Sequence, residues 1–92
     1  MQVRCTLLRI RPIQSRKLLA LVAVEVDFEG VAIEIEGIRV ERESDGVSVR
    51  MPVDRDGVPL ITIPEEVKIP LADIVLEAAQ ELGVVKNRIV AT

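Results

Sequence analysis

Residues 18–42 read LLALVAVEVDFEGVAIEIEGIRVER, and they hold two β-strands and the turn between them. Ala20, Val22, Val24, Val26 and Phe28 alternate with Leu19, Leu21, Ala23, Glu25 and Asp27. A strand turns successive side chains to opposite faces, so this period of two marks one fully apolar side. The other side starts apolar and ends acidic, which places the strand centrally at one end only. Glu29-Gly30 supplies a tight turn, with glycine free to take a positive φ. Val31, Ile33 and Ile35 then alternate with Ala32, Glu34 and Glu36, after which the apolar parity moves to Ile38 and Val40. Gly37 stands at the change, so a glycine β-bulge is expected there.

Outward from this pair, residues 2–11 read as a first strand with Val3, Cys5 and Leu7 on one face. Leu8 and Ile10 switch parity, which signals a bulge or an edge position. Pro12 closes that strand and residues 13–16 form the turn. Ser44-Asp45-Gly46 is the next turn, and Val47, Val49 and Met51 alternate with Ser48 and Arg50 until Pro52 stops the fourth strand. Residues 54–59 form a loop, residues 60–63 are expected to make a short fifth strand, and Pro64 ends it.

The period then changes. Leu71, Ile74, Val75, Ala78 and Leu82 fall at i, i+3, i+4, i+7 and i+11, one stripe of an α-helix. Pro70 suits its first turn and Gly83 the left-handed position just past its end, so the helix is expected over about 70–82. Residues 84–92 are a short apolar tail with Lys86 and Arg88; an edge strand, a frayed end and packing on a partner all remain open. The expected fold is α+β: an antiparallel sheet of four to five strands, built as a meander of hairpins, with one C-terminal helix packed on it. One domain is expected over 1–92, with the sheet in 2–63.

Composition agrees and narrows the chemistry. Val and Ile number 25 while Phe is the single aromatic residue, and β-branched side chains suit a pleated, half-buried surface. A 92-residue chain buries only about 60 % of its unfolded surface, so dimerisation would add stability. With no His there is no imidazole base, no Ser–His or Cys–His pair and no His-ligated zinc. The single Cys5 excludes an internal disulfide or a CxxC knuckle and reads as a small buried hydrophobe. One aromatic ring is too few for the stacking platform of a single-strand or RNA-binding sheet. The LLALVAV run at 18–24 falls far short of the ~20 residues that span a bilayer, and the strand alternation that follows it argues against a signal segment. A soluble, cytoplasmic protein without membrane contact is expected.

Charge is uneven along the chain. Residues 1–17 carry Arg4, Arg9, Arg11, Arg16 and Lys17 with no acid, and residues 18–36 carry Glu25, Asp27, Glu29, Glu34 and Glu36 with no base. Adjacent strands that pair these two sets across a sheet face account for the pattern; a basic face for a partner is the alternative. Asp54-Arg55-Asp56-Gly57 has the look of an EF-hand opening, with Glu65 at position 12, but Pro59 and Pro64 interrupt it and Gly57 sits at position 4, not 6. A turn is the expected reading. No Gly-rich phosphate loop, nucleophile elbow or metal-ligand cluster occurs, so neither an enzyme, nor a cofactor, nor a small-molecule substrate is expected.

Ile38-Arg39-Val40, the turn glycine Gly46, Val49-x-Met51-Pro52, the loop glycine Gly57, Pro64 and Asp73-x-Val75-Leu76 occur in one order. That order resembles the SpoVG family, the stage V sporulation or septation protein G. Leu8-Arg9-Ile10 and Val22-Ala23-Val24 look like that family's first hairpin, and the resemblance covers roughly residues 3–82. It implies a small, cytoplasmic bacterial homodimer that regulates septation, sporulation or gene expression and binds double-stranded DNA site-specifically.

The family's basic residues lie just after the Met-Pro and just before the helix. Here the pair commonly written Lys-Arg is Asp54-Arg55, Lys68 matches a family Arg, and Pro70 stands where a Lys is common. The segment between the Met-Pro and the helix is also shorter. The candidate DNA contacts are therefore Arg55, whose planar fork can grip guanine, with Lys68 and Arg50. Arg55 paired with Asp54 or Asp56 as a solvated loop residue is the competing reading. The departures, with the net charge of −3, also support a related dimeric scaffold that acts through protein contacts and has little DNA affinity.

Overall fold

A computed structural model describes residues 2–83, and the apolar tail at 84–92 lies outside them. The elements follow as β1 (Val3–Pro12), β2 (Leu18–Phe28), β3 (Val31–Glu43), β4 (Gly46–Arg50) and α1 (Glu65–Glu81). The four strands form one antiparallel sheet in the order β1-β2-β3-β4, a meander of hairpins, with α1 packed on one face.

Three register shifts occur in the sheet, and two of them keep the apolar residues on the helix side. Leu7 pairs with Val24 and Arg9 with Ala23, so Leu8 is the extra residue of β1. Val22 pairs with Ile38 and Val24 with Ile35, so Ala23 of β2 faces the two residues Glu36 and Gly37 of β3. Gly37 takes φ 77°, a left-handed conformation that glycine adopts without steric cost. A Cβ there would lie 3.6 Å from Pro52 Cβ, an ordinary contact, so backbone conformation and not space demands glycine. These two fall where the sequence changes parity; at the third, Leu18 pairs with Glu41 and Ala20 with Val40, so Leu19 of β2 is the extra residue, and the all-apolar run around it gives no parity signal.

The core is the apolar face of β2 and β3 under the helix. Ala20, Val22, Val24, Val26, Ile35, Ile38 and Val40 meet Val67, Leu71, Val75, Leu76 and Ala79 of α1 in one buried cluster. Removing such side chains from water, at about 25 cal/mol per Å² of apolar surface, is the main force holding the two layers together.

The helix differs from expectation at its start. It begins at Glu65, not near residue 70, and Pro70 lies inside it as the sixth helical residue. The buried stripe runs along Val67, Leu71, Val75 and Ala79 with Leu76, while Ile74 and Ala78 are half-buried and Leu82 is exposed. Val67 extends the stripe one turn toward the N-terminus, which outweighs the hydrogen bond that Pro70 cannot give to the Glu66 carbonyl. Glu66 is exposed, so water can serve that oxygen. Glu65 and Glu66 complement the positive end of the helix dipole. Gly83 closes the helix in a left-handed conformation at φ 80°, its N–H donating to the Gln80 carbonyl.

Residues 60–63 do not form a fifth strand. Ile61 and Ile63 are half-buried against the core while Leu60 and Thr62 are exposed, so the alternation records burial without a strand ladder among the described residues. Pro59 and Pro64 remove a donor at each side of the segment. No helix among the described residues is long and apolar enough to cross a membrane.

Candidate functional site

The loop between β4 and α1 is pinned by one side chain. The Asp54 carboxylate Oδ1 accepts hydrogen bonds from the backbone N–H of Asp56 and of Val58, each at 2.9 Å. The Asp54 N–H donates to the Val58 carbonyl, the Gly57 N–H to the Asp54 carbonyl, and the Leu60 N–H to the Pro52 carbonyl. With the Val53–Pro59 bridge these bonds close a small ring of backbone, and Arg55 and Asp56 form its turn. An aspartate that binds the backbone two residues on is a common turn device, which explains Asp54 without a metal. Among the described residues no group of three acidic, thiol or imidazole side chains is gathered for a cation.

The three candidate contacts occupy different positions around this loop. Arg55 is exposed at the turn and makes no ion pair among the described residues, with neither Asp54 nor Asp56. Lys68 lies in the first turn of α1, with Nζ 3.8 Å from Glu65 Oε1. Both groups of that pair are largely exposed, so solvent leaves it little strength. Arg50 ends β4 and is engaged twice, Nε lying 3.1 Å from Glu41 Oε1 and the guanidinium donating to Glu43 Oε1 at 3.1 Å. Arg50 and Lys68 line one groove of about 460 Å³ between β4, the loop and the helix, walled by Met51, Val53, Ile61 and Leu71. Arg55 lies outside that lining.

The sheet face opposite the helix carries most of the remaining charge. Arg9 reaches across to Glu34 at 3.1 Å and also pairs with Glu36, and these hydrogen bonds raise its pKa further. Arg4 stands opposite Asp27 in the β1–β2 register. Part of the basic N-terminal strand is therefore matched by the acidic set of its neighbours. Glu41 is the one charged residue buried among the described residues, at 5 % exposure. Arg39 Nε lies 2.7 Å from Glu41 Oε2, and Lys17 Nζ lies 3.9 Å from Oε1. Glu43 accepts from the Ser48 hydroxyl at 2.8 Å, and this bond, followed by that from Arg50, holds its carboxyl below the usual range. Cys5 is half-buried opposite Val26, and burial pushes its thiol pKa up.

No family model matches the chain, nor does any curated protein or solved structure. The geometry of the charged groups thus has to carry the functional argument together with the motif order. Sequence reading missed the roles of Arg39 and Glu41. Alternation alone puts Arg39 and Glu41 on the same side of β3, and the register then brings Arg50 and Lys17 to the same carboxylate.

Proposed function

We propose that this protein is a small dimeric DNA-binding regulator of the SpoVG type, acting in septation, sporulation or gene expression. The observation that carries the reading is the order of strand, turn and Met-Pro motifs from Ile38 to Leu76. Arg55 supports it, because an exposed arginine without an ion pair at the tip of a pinned loop is pre-placed to meet a base edge. Arg50 and Lys68 in the adjoining groove support it as phosphate contacts, which position a duplex without reading it.

The test is fluorescence anisotropy of the purified chain against labelled mixed-sequence duplex at about 50 and 200 mM salt, the range over which phosphate contacts lose most of their strength. Binding that weakens steeply with salt is expected. Replacing Arg55 by Ala should cost about 1–3 kcal/mol on the preferred site, the worth of one bidentate base contact. Wild-type binding that survives Arg55→Ala unchanged removes this residue from the interface.

A second reading is a dimeric scaffold working through protein contacts. It is favoured by Asp54, an acid committed to the loop backbone where the family commonly has Lys, and by the pairing of Lys68 and Arg50 with glutamates. Absence of duplex binding even at low salt would put this reading first.

A further inference from the structure

Arg11, Leu21, Arg39 and Arg50 form one row across all four strands. Arg11 pairs with Leu21, Leu21 with Arg39, and Arg39 with Arg50. Residues directly opposite in a ladder project to the same side, here the face that the helix leaves open. Strands lie about 4.8 Å apart, so the three arginines span about 14 Å.

Two like charges directly opposite each other cost stability, and Arg39 faces Arg50. The fold offsets that cost with the buried Glu41 carboxylate, which takes the Nε of both arginines. Contact through Nε leaves the terminal nitrogens of Arg39 available to another acceptor, and its side chain is 38 % exposed. Arg11 is exposed and carries no ion pair among the described residues. At the other end of the row, Arg50 also lines the groove that holds Lys68. The basic row therefore continues around the β4 edge to the start of the helix.

The same face becomes acidic toward the β2–β3 turn, where Glu25 stands opposite Glu34 and Asp27 follows. A polyanion lying along the strands would meet those carboxylates; one lying across them would not. We propose that a nucleic-acid phosphate backbone crosses the helix-free face at right angles to the strands, over Arg11, Arg39 and Arg50 and on toward Lys68. The proposal rests on the DNA-binding reading and adds a surface to it. Three arginines in a row can engage up to three phosphates of one strand. No aromatic ring is available for stacking on this face, so the row holds backbone and leaves sequence reading to the Arg55 loop.

The test uses the same full chain and mixed-sequence duplex, titrated at several salt concentrations between about 50 and 200 mM. Arg11→Ala, which breaks no ion pair, and Arg39→Gln should each lower the slope of log affinity against log salt by about one unit. Arg39→Lys should restore it. Arg11→Ala should weaken preferred and unrelated duplexes by the same factor, whereas Arg55→Ala should weaken the preferred one selectively. Circular dichroism checks that each variant is folded. Duplex binding with an unchanged slope in both Arg11→Ala and Arg39→Gln overturns this proposal and leaves the DNA reading standing. Absence of wild-type binding at the lowest salt overturns both. An altered oligomeric mass in the two variants with an unchanged slope assigns the row to a protein contact and also overturns the proposal.

Discussion

At Gly37 a single residue decides which side of β3 is wet. Without the bulge, Ile33 and Ile35 would face the helix while Ile38 and Val40 faced outward; with it, Ile35, Ile38 and Val40 are all in the core. The bulge was legible because the apolar parity changes at a glycine. Glu43 shows what was not legible. Its carboxylate is held by Ser48, five residues on, and by Arg50, seven residues on, across the β3–β4 hairpin. Because the folded pKa is depressed, its contribution to stability is complete above the ordinary glutamate pKa and is lost as pH falls through the folded value. Replacing Glu43 by Gln should therefore lower Tm near neutral pH, and the difference from wild type should narrow on acidification to about pH 3, below the ordinary glutamate pKa. A Tm difference of the same size at both pH values would mean that the charge of Glu43 is not what Ser48 and Arg50 use.

Among the elements, the strands followed their local pattern and the helix only partly did. Pro70 reads as a helix start because it lacks an N–H, yet burial of Val67 draws the helix back to Glu65. The local signal and the tertiary one conflict there, and packing prevails. Pro70→Ala should restore a donor to the Glu66 carbonyl and remove the ring clash. A gain of about 1–2 kcal/mol is expected, less than the roughly 3 kcal/mol difference between Ala and Pro in a helix interior, since the half-buried ring gives up contacts. Urea unfolding measures it, and a lower midpoint in the variant would show that the ring packs more than it strains. Residues 60–63 teach the same lesson in reverse. Their alternation is real, but Ile61 and Ile63 cover the core from a segment that pairs with no strand among the described residues.

For the whole molecule, the meander leaves β1 and β4 as the edges of the sheet among the described residues. Four large apolar residues, Val53, Val58, Leu60 and Ile69, are exposed between the end of β4 and the second turn of the helix. A small chain with exposed apolar side chains in the segment that follows its edge strand gains by covering them with a second copy, in line with the dimer proposed above. Sedimentation equilibrium at micromolar concentration should give the mass of two chains. Leu60→Ser with Ile69→Ser should shift the mass toward one chain while the circular dichroism spectrum is retained. A single-chain mass for the wild type would remove the dimer from the proposed function.

The sequence by itself determined the fold class, the four strands, the glycine bulge of β3, the parity change at Leu8, the turns and the presence of one C-terminal helix. Each rests on interactions within about a dozen residues: the period of apolar side chains, and the φ preferences of Gly and Pro. The charge separation between residues 1–17 and 18–36 was equally plain, and so was the loop position of Arg55. What only the tertiary structure decided is where those charges meet. Arg11, Arg39 and Arg50 lie 28 and 11 positions apart along the chain and share one row because three strand registers align them. Register depends on how three hairpins and three register shifts add up, and burial of the shared apolar face under α1 selects the sum. A side chain's partner across a sheet is thus a property of the assembled layers, even where the strand that carries it can be read directly from its own residues.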